Sequence, residues 1–130
     1  MAIIYHDQQP QQRGYYSKII GRKLVTKDVG AQNCEVWEQI IPPGGYITPH
    51  YHDFEEIITL LTGCVTVQMG DLQETVSAPA TLFIAPQVIH GITNEAAQPA
   101  HLIAFLATDE AKVLYPLDKA PLPVLWEDRD

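Results

Sequence analysis

The sequence predicts an all-β fold, an antiparallel sandwich or barrel. Three observations carry that expectation. Short β-prone runs recur about every 8–12 residues, most of them bounded by Gly, Pro or Asp. Apolar and polar side chains alternate, as in Cys64 to Met69, where Val65, Val67 and Met69 share one face and Thr66 and Gln68 the other. No amphipathic helix of useful length is present to cover a parallel sheet. The chain has 130 residues, 46% of them hydrophobic and 18% charged. That length suits one domain with its own core, and that balance excludes disorder and a coiled coil.

The elements follow in order. Residues 1–18 are polar and Gln-rich, with Pro10 and a Tyr15–Tyr16 pair, and read as an arm or edge segment. Leu24 to Val29 and Cys34 to Ile41 are short strands, the second ended by Pro42–Pro43–Gly44–Gly45. Glu55 to Thr62, rich in Ile, Leu and Thr, is punctuated by Gly63. Cys64 to Met69 and Leu72 to Ser77 form a hairpin across Gly70–Asp71, where glycine at the first central position supplies positive φ. Thr81 to Ile84, His90 to Asn94 and His101 to Leu106 complete the strands. Thr108 to Tyr115 reads as one or two helical turns, with Thr108 as cap and Asp109 and Glu110 in the first turn. The tail, with Pro116, Pro121 and Pro123, is expected to run extended over the surface. One domain over 1–130 results: an N-terminal arm (1–33), a core (about 34–106) and a Pro-rich tail (107–130).

The net charge is −8, from 8 basic and 16 acidic side chains. A nucleic-acid surface needs the opposite sign, and no apolar run approaches the roughly 18 residues of a membrane span, so neither partner is expected. The N-terminus, MAIIYHDQQP, lacks a basic n-region and an apolar h-region, so no secretory signal is read. Cys34 and Cys64 are too few for a disulfide framework and read as free thiols in a reducing, cytoplasmic setting. Basic residues cluster at the two ends. From Asp28 through Ala111 there is no Lys or Arg, against 11 acidic residues. The five basic residues between Arg13 and Lys27 read as a solvated edge.

The chemistry concentrates in Pro49-His50-Tyr51-His52. On an extended strand, residues i and i+2 face the same way, so both imidazoles share a face, and the same parity adds Phe54 and Glu56. Two imidazoles and a carboxylate make a nitrogen-rich set for a first-row transition metal. His90, just past Pro86, is the candidate for a third imidazole. Four ligands on an ion that prefers six leave two cis positions for substrate, water or dioxygen. Two exposed histidines on a strand edge would account for the same His-x-His pair.

From Gly44 the chain reads GGYITPHYHDFEEIITLLTG. This resembles the first cupin motif, G-x5-H-x-H-x3-E-x6-G, at Gly44, His50, His52, Glu56 and Gly63. The second cupin motif, G-x5-P-x-G-x2-H-x3-N, is matched by His90 and Asn94. Pro79, Ala85 and Gln87 stand at its other fixed positions, with Pro86 one place after its proline. The resemblance covers about residues 34–106. It implies a double-stranded β-helix, a jelly-roll barrel with a metal inside one end. It also implies one divalent ion (Fe, Mn, Ni, Zn, Cu or Co) at His50, His52, Glu56 and His90.

The same resemblance spans dioxygenases, isomerases, decarboxylases, lyases and proteins without known chemistry, so fold does not decide function. The missing Lys and Arg narrow the choice. Phosphosugars and polycarboxylates need cationic clamps that these strands do not carry. A neutral or weakly acidic small molecule that chelates the metal fits, and the expected activity is a metal-dependent oxygenase. The alternatives are a non-catalytic small-ligand binding or sensing module with a structural metal, and a metal-dependent isomerase or lyase. Tyr46, Gln39, Phe54 and His101 are candidate pocket residues, with Trp37, Tyr51 and Gln68 as further possible walls, although Phe54 and His101 also suit core positions. A homodimer is expected through pairing of N-terminal strands, since the β-prone segment near Leu24 offers an open edge.

Overall fold

A computed structural model describes residues 1–116. Among these described residues, ten strands form two antiparallel sheets. In chain order they are β1 (Gln12–Arg13), β2 (Ile20–Val25), β3 (Glu35–Ile41), β4 (Tyr46–His50), β5 (Glu56–Thr62), β6 (Cys64–Met69), β7 (Leu72–Ser77), β8 (Ala80–Ile84), β9 (His90–Thr93) and β10 (Ala100–Leu106). One sheet runs β1-β2-β3-β10-β5-β8 and the other β4-β9-β6-β7. This is the expected jelly-roll arrangement.

The alternation seen in the sequence decides what lies between the sheets. Trp37 and Ile41 on β3, Leu102, Ala104 and Leu106 on β10, and Ile58 and Leu60 on β5 point inward from one sheet. Ile47, Val65, Val67 and Ile92 meet them from the other. Each such aliphatic side chain contributes about 1.5–3 kcal/mol on full burial, so this layer drives folding.

The turns obey glycine chemistry where geometry demands it. The β6–β7 hairpin pairs Met69 with Leu72, so Gly70–Asp71 is the two-residue loop, with Gly70 at φ 57°. Gly44, at φ 81°, donates its N–H to the Asn94 carbonyl at 2.8 Å, and Asn94 N–H donates to the Gly45 carbonyl at 2.9 Å. The Asn94 amide, 1% exposed, donates to the Ile41 and Gln98 carbonyls. These bonds lock the β3–β4 turn to the end of β9.

Three elements differ from expectation. The strand at Leu24 to Val29 lies earlier, as β2, because the Thr26 hydroxyl accepts from Asp28 N–H and starts a 3-10 turn over Lys27–Val29. β4, with Pro49 near its end, carries no clear sequence signal of its own. Thr108 to Tyr115 forms no helix. Thr108 Oγ1 accepts from Glu110 N–H, a single turn, and the chain then runs extended to bridge Tyr51 through Leu114. A helix this short is marginal in water, whereas the extended path gains two backbone hydrogen bonds. Pro121 and Pro123, on which the extended tail rests, lie outside the described residues.

Candidate metal centre

Each candidate ligand is delivered by its own device. His50 ends β4, and its register partner across the sheet is His90, the first residue of β9. Opposed residues on antiparallel strands stand about 4.5–5.5 Å apart at Cα, which brings these imidazoles to 4.3 Å between ring centroids. Glu56 opens β5 in the opposite sheet, between Leu106 and Ile84. His52 lies in the connection between the two sheets.

That connection corrects the shared-face argument. On one straight strand His50 and Glu56 would stand about 20 Å apart, too far for one ion. The chain instead bends at Asp53–Phe54 and changes sheets. The bend, not parity, closes the distance.

The result is compact. His50 Nε2 lies 3.2 Å from His52 Nε2, and Glu56 Oε1 lies 3.3 Å from His52 Nε2 and 3.0 Å from His90 Nε2. All four ligand atoms fall within 4.8 Å of one another. Their residues are 2–6% exposed. Phe54 stacks on the His52 ring at 4.6 Å and is buried in the core.

The outer nitrogens fix the tautomers. His50 Nδ1 meets the Thr48 carbonyl at 2.6 Å, His52 Nδ1 the Lys112 carbonyl at 2.6 Å, and His90 Nδ1 the Val88 carbonyl at 2.9 Å. A carbonyl only accepts, so each Nδ1 carries the proton and donates. In the neutral rings every Nε2 then presents a lone pair to the centre.

Electrostatics agree. Burial opposes charge on Glu56, but hydrogen bonds and charges from His52 and His90 outweigh it and hold the carboxyl down at about 2. Burial, with the neighbouring His90 charge, pushes His50 down to about 3. Burial also opposes charge on His52, yet the Glu56 hydrogen bond and charge carry it above 6.5. An ionised carboxylate thus faces three ring nitrogens. Acceptors this close repel unless a proton or a cation lies between them. One divalent cation meets all four, and bonds of about 2.0–2.2 Å set neighbouring donors roughly 3 Å apart, as observed. The residues present fit a metal ion.

The cavity beside these atoms measures about 20 Å³, with Trp37, Gln39, Ile47, Ile58, Leu106 and Val113 among its walls. Gln39 and Trp37, both candidate pocket residues, border it. Tyr46 and Gln68 do not border it. Tyr51 serves instead in the backbone bridge to Leu114. His101 is a correction: it points out of the six-stranded sheet, opposite in direction to Leu102 and Ala104, and donates from Nε2 to Glu38 Oε2 at 2.8 Å. Sequence reasoning missed Lys112 and Val113, which no local pattern ties to a site 60 residues upstream.

Gln87 stands at one of the substituted motif positions in the loop before His90. Gln87 takes φ 73°, the left-handed conformation that glycine would supply, and its N–H donates to the His52 carbonyl at 2.7 Å.

Comparison with known proteins agrees with this geometry. Residues 37–106, just over half of the chain, match the family described as the cupin domain. The polyketide cyclase RemF from Streptomyces resistomycificus superposes with TM-score 0.78 at 21% identity, covering 88% of this chain and 84% of its own. A predicted oxalate decarboxylase from Thermotoga maritima gives 0.75 at 17% identity, covering 82% and 99%. A cupin 2 domain-containing protein from Halorhodospira halophila gives 0.67 at 24% identity, covering 74% and 68%. At these identities the likeness concerns the fold. No curated protein matches the sequence significantly. With a domain match across the barrel and a buried three-histidine, one-glutamate cluster inside it, the chain belongs to the cupin family.

Proposed function

We propose that this protein is a metal-dependent enzyme of small molecules, an oxygenase whose substrate chelates a divalent ion held by His50, His52, Glu56 and His90. One observation carries the reading. Three imidazoles donate their Nδ1 protons to carbonyls and gather Nε2 with one buried carboxylate oxygen, a donor set that one divalent cation fits. Bound there, Fe, Mn, Ni, Zn, Cu or Co supplies a Lewis acid that polarises a substrate oxygen. The chain supplies the rest. Trp37, Ile47, Ile58 and Leu106 exclude water, and the Gln39 amide offers the cavity a neutral donor and acceptor. Among the described residues no Lys or Arg borders the cavity, which favours an enolic or phenolic substrate over a phosphate. Metal-dependent oxygen uptake with such a substrate is the expected result. Its absence with every reconstituted metal, across a broad panel, overturns the oxygenase. Turnover without oxygen uptake would assign an isomerase or lyase instead. Elemental analysis of the purified protein beside His50→Ala tests the ligand set: about one ion per chain, lost in the variant.

The cavity size favours a second reading, a non-catalytic binding module with a structural metal. About 20 Å³ holds one water-sized group. Water-proton relaxation of the protein loaded with a paramagnetic ion separates the two. Exchangeable water on the ion supports the enzyme, and a closed shell supports the module.

β1 and β3 flank β2, so the edge near Leu24 expected to pair two copies is partly covered, and a homodimer fits the outer face of the six-stranded sheet better. There Val36, Phe105, Ile57 and Phe83 form one row across β3, β10, β5 and β8. Phe83 is 55% and Phe105 38% exposed. The row carries no ionised group, so a second copy of this acidic chain meets it without like charges in contact. The partner is a second copy, and Phe83→Asp is expected to turn a dimer into a monomer in light scattering. A wild-type mass of one chain at all concentrations removes the dimer. Cys34 and Cys64 are free thiols, which supports the cytoplasmic reading.

A further inference from the structure

Two of the three imidazoles take their Nδ1 acceptor from their own stretch of chain. His50 uses the Thr48 carbonyl and His90 the Val88 carbonyl, each two residues upstream. His52 differs. Its acceptor, the Lys112 carbonyl at 2.6 Å, comes from 60 residues downstream.

The segment that brings it, residues 107–115, crosses the ligand end of the barrel as a strap. Ala107 N–H donates to the Glu55 carbonyl at 3.0 Å. Ala111 packs against the core. Tyr51 N–H donates to the Leu114 carbonyl at 2.8 Å, and Leu114 N–H returns to the Tyr51 carbonyl at 3.0 Å. Between these anchors lies the His52–Lys112 bond, and Val113 walls the cavity. The connection that carries His52 and the strap therefore hold each other at both ends. The Lys112 ammonium plays no part in this. Its side chain is 65% exposed and stands 3.9 Å from Glu110.

We propose that the strap is a positioning element for the metal centre: the Lys112 carbonyl fixes the tautomer and ring orientation of His52, so strap docking and metal binding strengthen each other. The proposal rests on the metal reading above and goes beyond it by making the site incomplete without a segment outside the barrel strands. A free Nδ1 would leave His52 able to carry its proton on Nε2, where it blocks coordination. Linkage makes the effect reciprocal: whatever factor the docked strap adds to metal affinity, bound metal adds to docking.

Leu114→Pro in the full chain tests this. It deletes the N–H given to Tyr51 and alters no ligand, while Leu114→Ala keeps that N–H. Chelator competition with Zn(II) is expected to show roughly tenfold or greater weakening in L114P, the range for losing a partner that orients a ligand. L114A is expected to stay within about twofold of wild type. In NMR of the metal-free protein, the His52 ring Nδ1–H signal is expected in wild type and L114A and lost in L114P, with those of His50 and His90 retained. Hydrogen exchange on wild type gives an arm independent of any variant's folding: Zn(II) is expected to slow the Tyr51 and Leu114 amides. Equal Zn(II) affinity in folded L114P overturns the coupling and leaves the metal reading standing. Amide exchange at Tyr51 and Leu114 that ignores bound metal does the same. A wild-type protein that takes up no metal overturns both.

Discussion

Gln87 sits at φ 73° in the loop that delivers His90, with its N–H on the His52 carbonyl. A side chain in that region costs about 1 kcal/mol, and glycine removes the cost at some expense in unfolded-chain entropy. Gln87→Gly is expected to keep or raise stability by up to about 1 kcal/mol, read as a higher urea midpoint. A drop of more than about 1 kcal/mol would show that the Gln87 side chain holds the loop. The four clustered residues were legible because their spacing matches the cupin motifs, whereas the His-x-His pair alone also suits an exposed strand edge. His101 was not. Its partner Glu38 lies 63 residues away, and only the β3–β10 register brings them together. The loop shape before His90 was also hidden, because motif glycines report a backbone conformation that another residue can adopt at a cost.

Gly63 joins β5 to β6 at φ 99°, and a Cβ there would stand 2.7 Å from Ala100 Cα and 2.9 Å from the Pro99 carbonyl oxygen. Conformation and space both forbid a side chain. Gly63→Ala is expected to destabilise by about 2–4 kcal/mol in denaturant titration. A loss under about 0.5 kcal/mol would mean that β10 yields easily at that end. β6, with its strong alternation, was legible together with the two-residue turn to β7, since period-2 patterning and Gly-Asp chemistry are local. Three features were not. β2 begins before its predicted start because pairing with β3 sets its register. β4 is defined by its pairing with β9 and carries a proline. The strap after Thr108 reads locally as a helix start, and only its bridge to Tyr51 shows otherwise.

Across the whole molecule, Glu38 ties distant segments to the outer face of the larger sheet. Its side chain, 8% exposed, accepts from His101 at 2.8 Å, from His6 of the N-terminal arm at 3.2 Å and from Arg22 on β2 at 3.4 Å. Burial alone would raise its carboxyl, but the hydrogen bonds and charges of His101 and His6 outweigh that and lower it below 4.5. A lowered carboxyl adds stability above pH 4.5 and loses it as pH falls through the folded value. Acid that protonates Glu38 is therefore expected to release the arm, seen as lost hydrogen-exchange protection, relative to the free-peptide rate at the same pH, at the Gln8 and Gln9 amides. Glu38→Gln is expected to show that loss already at pH 7, and arm protection indifferent to both changes would contradict the role of Glu38.

The strap and the two sheets surround one feature, four buried donor atoms within 4.8 Å. Anomalous X-ray scattering from crystals grown after metal reconstitution tests it most directly. The expected result is a single strong peak about 2.0–2.3 Å from His50 Nε2, His52 Nε2, His90 Nε2 and Glu56 Oε1. A map with no peak there, or with its peak on other residues, contradicts the metal centre.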